Sequence, residues 1–298
     1  MASLLLCPTL VQIAEQTDGT LDTGAREQQA AATRQFYQEA LAALAGAGVP
    51  HLLGGGYAFM HYTGVYRDTK DLDIFLRPRD AERAVAIVAQ AGYRAEIVAP
   101  HWLGKAYSGD SFIDFIFSSG NGVCLVDDDW FVHAERARVL DMPVLLSPVE
   151  EMIWSKAFVL ERERFDGADI GHLLRARGAA LDWGRLLRRF EPHWHVLLSH
   201  LILFRFSYPS ERALVPRGVM RELLDRLDRE LDSVPPDQPV CRGTLLSARQ
   251  YLPDVELFGF RDARLDPAVR MTEADIAQLT RSIREEEALG RDKAGRGR

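Results

Sequence analysis

A triple glycine, followed by two aspartates that alternate with apolar residues, constrains this 298-residue chain more than any other feature. Gly54, Gly55 and Gly56 stand between a short apolar run and a helix-like stretch in the segment LLGGGYAFMHYTGVYRDTKDLDIFL. Glycine tolerates backbone conformations and close approaches that other residues do not, so backbone amides here could converge on an anion. A glycine triplet alone is more often a flexible turn. The prediction of an anion site therefore depends on the residues that follow.

Two aspartates, Asp71 and Asp73, open an apolar strand predicted over residues 71–76. Side chains alternate between the two faces of a strand, so both carboxylates lie on one face and the apolar residues on the other. At a rise of about 3.3 Å per residue the carboxylates stand roughly 7 Å apart, close enough to share divalent cations. The pattern predicts a metal site at the start of this strand.

A third acid lies on a later strand. The segment SFIDFIF, residues 111–117, is aromatic and β-branched and carries Asp114 at its centre. An uncompensated carboxylate in such a run costs several kcal/mol, in order of magnitude. A metal ion or a dense set of hydrogen-bond donors would compensate it, and a neighbouring strand with Asp71 and Asp73 could hold the same metal.

Taken together, these residues resemble the DNA polymerase β superfamily of nucleotidyltransferases, in which a glycine pair opens a helix and is followed by Asp-x-Asp and a later single Asp. More narrowly, the segment resembles the branch that includes the AbiEii-type toxins of bacterial toxin-antitoxin systems. The resemblance covers roughly residues 50–175, and many superfamily members have Ser where this chain has a second glycine. The matching positions are Gly55, Gly56, Ala58, Arg67, Thr69, Asp71 and Asp73, then Lys156, Arg162, Arg164, Asp166 and Asp169.

The resemblance implies a metal-dependent nucleotidyltransferase that moves a nucleoside monophosphate from a nucleoside triphosphate to a hydroxyl acceptor. The acceptor could be an RNA end, a protein or a small molecule, and a toxin with an antitoxin partner is one branch. Asp71, Asp73 and Asp114 are the implied ligands of two Mg²⁺ ions, with Mn²⁺ as an alternative, and Asp114 the implied proton acceptor. The implied nucleotide-binding residues are Gly55, Gly56, Arg67, Thr69 and Lys156. Because Gly56 offers no hydroxyl, phosphate binding would rest on backbone amides and basic side chains.

Other interpretations remain open at this point. An aminoglycoside-type small-molecule nucleotidyltransferase uses the same acids, and a non-catalytic nucleotide-binding protein could keep the same fold. Lys156 could be an exposed helix lysine, and Asp166 and Asp169 could be acids at a helix start, with Asp166 as the N-cap. A separate cluster of histidines, at positions 193, 195 and 200, matches no common zinc spacing.

The pattern of elements predicts an α+β fold, with a polymerase β-like core of mixed sheet flanked by helices and a mainly helical C-terminal region. We expect a catalytic domain over residues 1–147 and a helical domain over residues 148–298. Predicted helices lie at 25–45, 79–91, 148–163, 168–177, 183–190, 194–206, 219–231 and 272–289, and strands at 71–76, 93–98, 111–117 and 142–146. The runs 127–129 and 233–239 are predicted as loops, and 290–298 as a basic tail.

Composition narrows the cellular setting. The net charge is -7, with the acidic excess in residues 1–150, which is not typical of a dedicated nucleic-acid binder. Three cysteines stand far apart without a CxxC pair, which suits a reducing compartment. The opening MASLLLCPTLV lacks a basic region, and no stretch reaches the length of a membrane span. The expectation is a cytoplasmic protein that does not enter a membrane.

Overall fold

Seven strands form one mixed β-sheet in this computed structural model, which describes residues 23–67, 69 and 71–295. In chain order the strands are β1 (Leu52–Leu53), β2 (Asp71–Phe75), β3 (Arg94–Ala99), β4 (Leu103–Ser108), β5 (Ser111–Ile116), β6 (Glu135–Val139) and β7 (Met142–Leu146). Across the sheet they follow the order β3-β4-β5-β2-β1-β7-β6. Strand β2 runs parallel to β5 and antiparallel to β1, so the predicted mixed sheet is confirmed.

Helices flank the sheet and dominate the chain after it. They are α1 (Thr23–Gly46), α2 (Gly55–Thr63), α3 (Pro78–Gln90), α4 (Asp128–Val132), α5 (Val149–Ala157), α6 (Gly167–Arg177), α7 (Trp183–Arg189), α8 (Trp194–Ser207), α9 (Arg217–Leu231), α10 (Ala248–Glu256) and α11 (Glu273–Gly295). Two short strands, β8 (Val240–Cys241) and β9 (Arg261–Asp262), pair in parallel. The predicted α+β class and the helical C-terminal region are confirmed. None of the helices described combines the length and apolar character needed to cross a bilayer.

The two central strands place apolar and acidic residues on opposite faces. Leu72 and Ile74 of β2 are fully buried, as are Ile113 and Phe115 of β5. These side chains join one core that includes the apolar face of α1. The residues between them in sequence, which include all three predicted metal ligands, face the other side. The period-2 alternation of both segments therefore positions the acids as the sequence predicts.

Several elements differ from their predicted extents. The helix predicted over 148–163 ends at Ala157, because the chain turns back on itself: the Glu161 amide donates to the Arg164 carbonyl (2.8 Å), and Leu160 bridges to Phe165. The run 127–129 is not a loop, since Asp127 caps α4 and accepts from the amide two residues later (3.1 Å). Strands β4, β6, β8 and β9 and helix α10 were absent from the predicted elements.

The last helix begins as predicted and ends later. Thr272 and Asp275 form a reciprocal capping box, with the Thr272 amide donating to the Asp275 carboxylate (2.8 Å) and the Asp275 amide to the Thr272 hydroxyl (3.2 Å). Helix α11 then extends to Gly295, through most of the predicted tail. The opening MASLLLCPTLV and residues 296–298 lie outside the described part of the chain.

A buried ionic network joins α4, α5 and α7. Arg185, which is 6% exposed, donates to Glu150 and to Glu151 (3.0 Å), and Glu151 is fully buried. Arg189 bonds Glu151 (3.0 Å) and reaches the α4 cap at Asp127 (2.6 Å). Buried charges are tolerated only when they are paired, so each member depends on the others.

We expect Arg185→Ala to lower the free energy of unfolding by about 3–5 kcal/mol, because it leaves two buried carboxylates without their main partner. Urea-induced unfolding followed by circular dichroism measures the change. Arg226→Ala is the control, since Arg226 pairs with the half-exposed Glu191 and Glu222 and its loss should cost less than about 1 kcal/mol. Equal losses in the two variants would show that the network does not stabilise the fold.

Candidate active site

Three carboxylates converge on one face of the sheet. Strands β2 and β5 are parallel neighbours, and their register places Asp73 directly beside Asp114. Asp71 lies two residues before Asp73 on the same face. Each of the three offers a carboxylate oxygen within 4.8 Å of the others, and no second group of this kind occurs among the residues described. The structure thus brings together the three acids that the sequence singled out.

The glycine turn fits closely against this acid cluster. The Gly54 amide donates to the Asp73 carbonyl (2.9 Å), and α2 begins at the next residue. Gly55 has a φ of +52°, and a Cβ there would stand 1.6 Å from Oδ2 of Asp73. Only glycine combines a favourable left-handed backbone with the absence of a Cβ at this position. The N-terminal amides of α2 therefore lie beside the acid cluster, where the positive end of the helix dipole favours negative charge.

Thr69 and Gly56 make a second contact with the cluster. The Thr69 hydroxyl donates to Oδ1 of Asp71 (2.7 Å) and so fixes the orientation of that carboxylate. A Cβ on Gly56 would stand 3.1 Å from the Cβ of Thr69, so a larger residue would press on this contact. The structure places Thr69 on a predicted metal ligand, and its nucleotide-binding role stays a prediction.

The close packing of three acids shifts their protonation. Burial, together with the negative charges of Asp71 and Asp114, raises the pKa of Asp73 to about 7. Burial also raises the pKa of Asp114, although the hydrogen bond and positive charge of Lys105 act against that rise. A divalent cation bound among the carboxylates would favour their ionised forms. The cluster has the donor set of a site for a hard cation with oxygen ligands.

A group of cations held by two further acids lies next to the cluster. The Lys156 ammonium contacts Asp166 (3.0 Å) and Asp169 (2.7 Å). Arg164 makes two hydrogen bonds to Asp166, both of 3.1 Å. Arg67 pairs with Asp169 and lies over the ring of Phe59. The positive charges of Lys156 and Arg164 act against the rise in the pKa of Asp73.

These contacts revise two predictions about single residues. Lys156 is 17% exposed and ion-paired, so it is not an exposed helix lysine. Asp166 occupies the N-cap position of α6, as predicted, but its carboxylate bonds Lys156 and Arg164 and not the helix amides.

The three histidines have partners outside the acid cluster. His195 pairs with Glu230 (2.5 Å), and the ring of His200 donates to the Ala157 carbonyl (2.9 Å). His193 packs its ring edge-on against Phe158. The three are not among the groups of side chains positioned to share a metal ion in the described part of the chain.

Lys105 is the site residue that sequence reasoning missed. It lies on β4 in register with Asp114, and its ammonium stands 2.5 Å from Oδ1 of that residue. The segment LGKAYS gave no clear strand signal, since Gly104 interrupts it and apolar alternation is weak. Once β4 is recognised as the partner of β5, pairing across the hairpin places Lys105 next to Asp114.

A cavity of about 950 Å³ adjoins the cation group. Trp102 and Asn121 line it from the sheet side, and Arg164 is shared with the cation group beside Asp73. The C-terminal region completes the wall with Leu246 of the loop before α10 and Ile283 of α11. Apolar, polar and charged side chains all contribute. Its size falls in the range of pockets that bind small molecules.

Comparison with known proteins gives structural similarities of low identity. No protein-family model and no curated protein matches the chain. The antibiotic-resistance factor ANT(2'')-Ia is 19% identical, with a TM-score of 0.36, over 67% of this chain and 96% of that one. The lincomycin-bound lincosamide antibiotic adenylyltransferase LnuA is 17% identical, with a TM-score of 0.35, over 47% and 94%.

A third similar structure is an antigenic nucleotidyltransferase-like protein from Paracoccidioides brasiliensis. It is 15% identical, with a TM-score of 0.40, over 62% of this chain and 93% of that one. At such identities and TM-scores the similar structures assign no activity to this chain. A functional assignment therefore rests on the geometry of its own acid cluster.

Replacing Gly55 tests the fit between the glycine turn and the acids. Gly55→Ala forces an alanine into the left-handed backbone region and places its Cβ against Asp73. We therefore expect a lower melting temperature and loss of any stabilisation by Mn²⁺. Differential scanning fluorimetry with and without Mn²⁺ measures both. Gly46→Ala is the control, because a Cβ there meets no atom within 4 Å. Retention of wild-type behaviour by the Gly55 variant would contradict this account.

Neutralising Asp73 tests the repulsion within the cluster. Because the folded-state pKa of Asp73 is raised, its ionised form destabilises the metal-free fold at pH 8, and Asp73→Asn removes that penalty. A gain of about 1 kcal/mol would raise the melting temperature by roughly 2–4 °C and should abolish stabilisation by Mn²⁺. Asp110→Asn, in the exposed turn between β4 and β5, should change neither quantity. A less stable metal-free Asp73 variant would show that the carboxylate is needed for folding.

Proposed function

We propose that this protein is a divalent-metal-dependent nucleotidyltransferase that transfers a nucleoside monophosphate from a nucleoside triphosphate to a hydroxyl acceptor. The observation that carries the proposal is the convergence of Asp71, Asp73 and Asp114 beside the glycine turn that opens α2. Carboxylates that bind cations, amides that face an anion and nearby basic groups are what phosphoryl-type transfer requires, since it depends on positioning and charge neutralisation.

The residues present fit a divalent cation such as Mg²⁺ or Mn²⁺. All three candidate ligands are carboxylates, which hard cations prefer, and Thr69 already fixes the orientation of Asp71. The close approach of Gly55 to Asp73 leaves that carboxylate little freedom to move away. The resemblance implies two ions. Lys105 already forms an ion pair with Asp114, which is the implied ligand of the second ion.

When bound, the metal ion would neutralise phosphate charge and activate the acceptor hydroxyl. The chain's own groups would then bind and orient the substrate. The α2 amides at Gly55 and Gly56 and the cations Arg67, Lys156 and Arg164 would hold the phosphate tail. Asp114, whose pKa burial raises, would accept the proton of the acceptor hydroxyl. In this arrangement Asp166 and Asp169 position the cations and do not touch the reacting atoms.

The cavity next to the cation group favours a small-molecule acceptor. At about 950 Å³ it suits a ligand of drug or metabolite size, and Arg164 lines both the cavity and the surroundings of Asp73. The alternative acceptor is an RNA end or a protein hydroxyl. A toxin of the AbiEii type, with an antitoxin partner, would use an acceptor of this alternative kind. An aminoglycoside is one candidate within the small-molecule class, and a non-catalytic nucleotide-binding role is the remaining alternative.

Two further expectations belong to the same proposal. The catalytic part would lie within residues 1–147 and the helical part within residues 148–298. However, Lys156 and Arg164 come from the second part, so the first part alone should bind nucleotide weakly. The reaction would take place in the cytoplasm, where nucleoside triphosphates are available.

A labelling experiment tests the function directly. The protein is incubated with each α-labelled nucleoside triphosphate, Mg²⁺ and a total cell extract, and label is followed into RNA, protein and small molecules. We expect metal-dependent label in the small-molecule fraction, abolished in Asp73→Ala and kept in Asp110→Ala. Purified aminoglycosides with ATP form a second arm.

The possible outcomes separate the hypotheses. Full incorporation by Asp73→Ala would contradict the assigned site. Label in RNA or protein would retain the transferase and exclude the small-molecule acceptor. Calorimetric nucleotide binding without release of pyrophosphate would favour the non-catalytic alternative.

A further inference from the structure

Lys105 is held against the acid cluster by two contacts. Its ammonium stands 2.5 Å from Oδ1 of Asp114 and 4.3 Å from the centre of the Phe112 ring, where a cation is favoured. The lysine side chain is 22% exposed and the aspartate side chain 17%. The antiparallel register of β4 and β5 sets Lys105 directly beside Asp114, so the pair is fixed by the sheet and not by a loop.

The other charged groups near Lys105 have partners of their own. Glu96 of β3 lies opposite Lys105 in register, but Arg94 binds its carboxylate (2.6 Å). Lys156 and Arg164 of the cation group pair with Asp166, and Arg67 pairs with Asp169. Among the described residues, Lys105 is therefore the cation in direct contact with a member of the cluster.

We propose that the Lys105 ammonium is a resident counter-ion that takes the place of one divalent cation at Asp114. The cluster would then bind one divalent ion, on Asp71 and Asp73, in place of the two that the resemblance implies. The inference rests on the proposed metal-dependent function and concerns how that site is filled.

The physical reason is competition for one carboxylate. A Mg²⁺ ion bound by Asp114 would stand about 2 Å from one of its oxygens, which brings it close to an ammonium already bonded to the same group. The two cations repel each other, and water screens this repulsion only in part because both side chains are largely buried. Strand pairing fixes the backbone of Lys105 beside Asp114, and the contact with the Phe112 ring favours the observed position of its ammonium.

Counting bound Mn²⁺ tests the inference. Free Mn²⁺ is measured by electron paramagnetic resonance as the metal alone is titrated into wild type, Lys105→Met and Lys105→Arg. We expect one Mn²⁺ per chain for wild type and for Lys105→Arg, which keeps the charge. Lys105→Met should bind a second Mn²⁺, with at least about tenfold higher affinity at that position than wild type. Arg138→Met is the matched control, because it removes a positive charge from an exposed position of β6, at the opposite edge of the sheet from β3 and β4.

The outcomes separate this inference from the proposed function. Two Mn²⁺ ions in wild type, or identical titrations for wild type and Lys105→Met, would overturn the role of Lys105 and keep the metal site. No bound Mn²⁺ in any variant would contradict the proposed metal site, and the inference with it. Lys105→Gln serves as a second neutral variant, and circular dichroism verifies that each variant is folded.

Discussion

The mutual repulsion of three carboxylates is the constraint on which the rest of the site depends. Parallel pairing of β2 with β5 places Asp73 beside Asp114, and strand geometry adds Asp71 on the same face. Because the acids lie on paired strands, they cannot separate without breaking the sheet. Each is therefore restrained by a neighbour: Asp71 by the Thr69 hydroxyl, Asp114 by Lys105, and Asp73 by the glycine turn that opens α2.

The surrounding cations are arranged so that they do not neutralise the cluster completely. Lys156 and Arg164 lie within electrostatic range of Asp73, but Asp166 binds both and keeps them from forming ion pairs with it. Both cations thus act on Asp73 through space while their hydrogen bonds go to Asp166. A cluster neutralised by its own lysines and arginines would have no affinity left for a metal ion. Asp166 and Asp169, at the start of α6, would therefore contribute to the proposed function by holding the cations in position.

Local sequence patterns predicted the acids but not all of their neighbours. Alternation of apolar and acidic residues is a local property of one strand, so the face shared by Asp71 and Asp73 and the strand around Asp114 could be predicted. Lys105 could not, because LGKAYS is a weak strand whose place follows from pairing with β5. The helix predicted through residue 163 failed for a similar reason. Tertiary contacts stop it at Ala157, and the turn that follows brings Arg164 to Asp166.

The wall of the cavity combines helix α10, which the sequence did not predict, with helix α11, which it did. The segment before α10 and residues of α11 line it together with Trp102. The start of α11 is fixed by its capping box, and His101, next to Trp102, lies 3.6 Å from Asp275 of that box. The cavity wall is thereby tied to the turn between β3 and β4, just before the strand that carries Lys105. Acids and glycines that serve any nucleotide reaction come from short local motifs, whereas selection of an acceptor would depend on contacts between distant parts of the chain. Under the proposed function, substitutions in α11 would alter the cavity, and with it the choice of acceptor, without touching the acids.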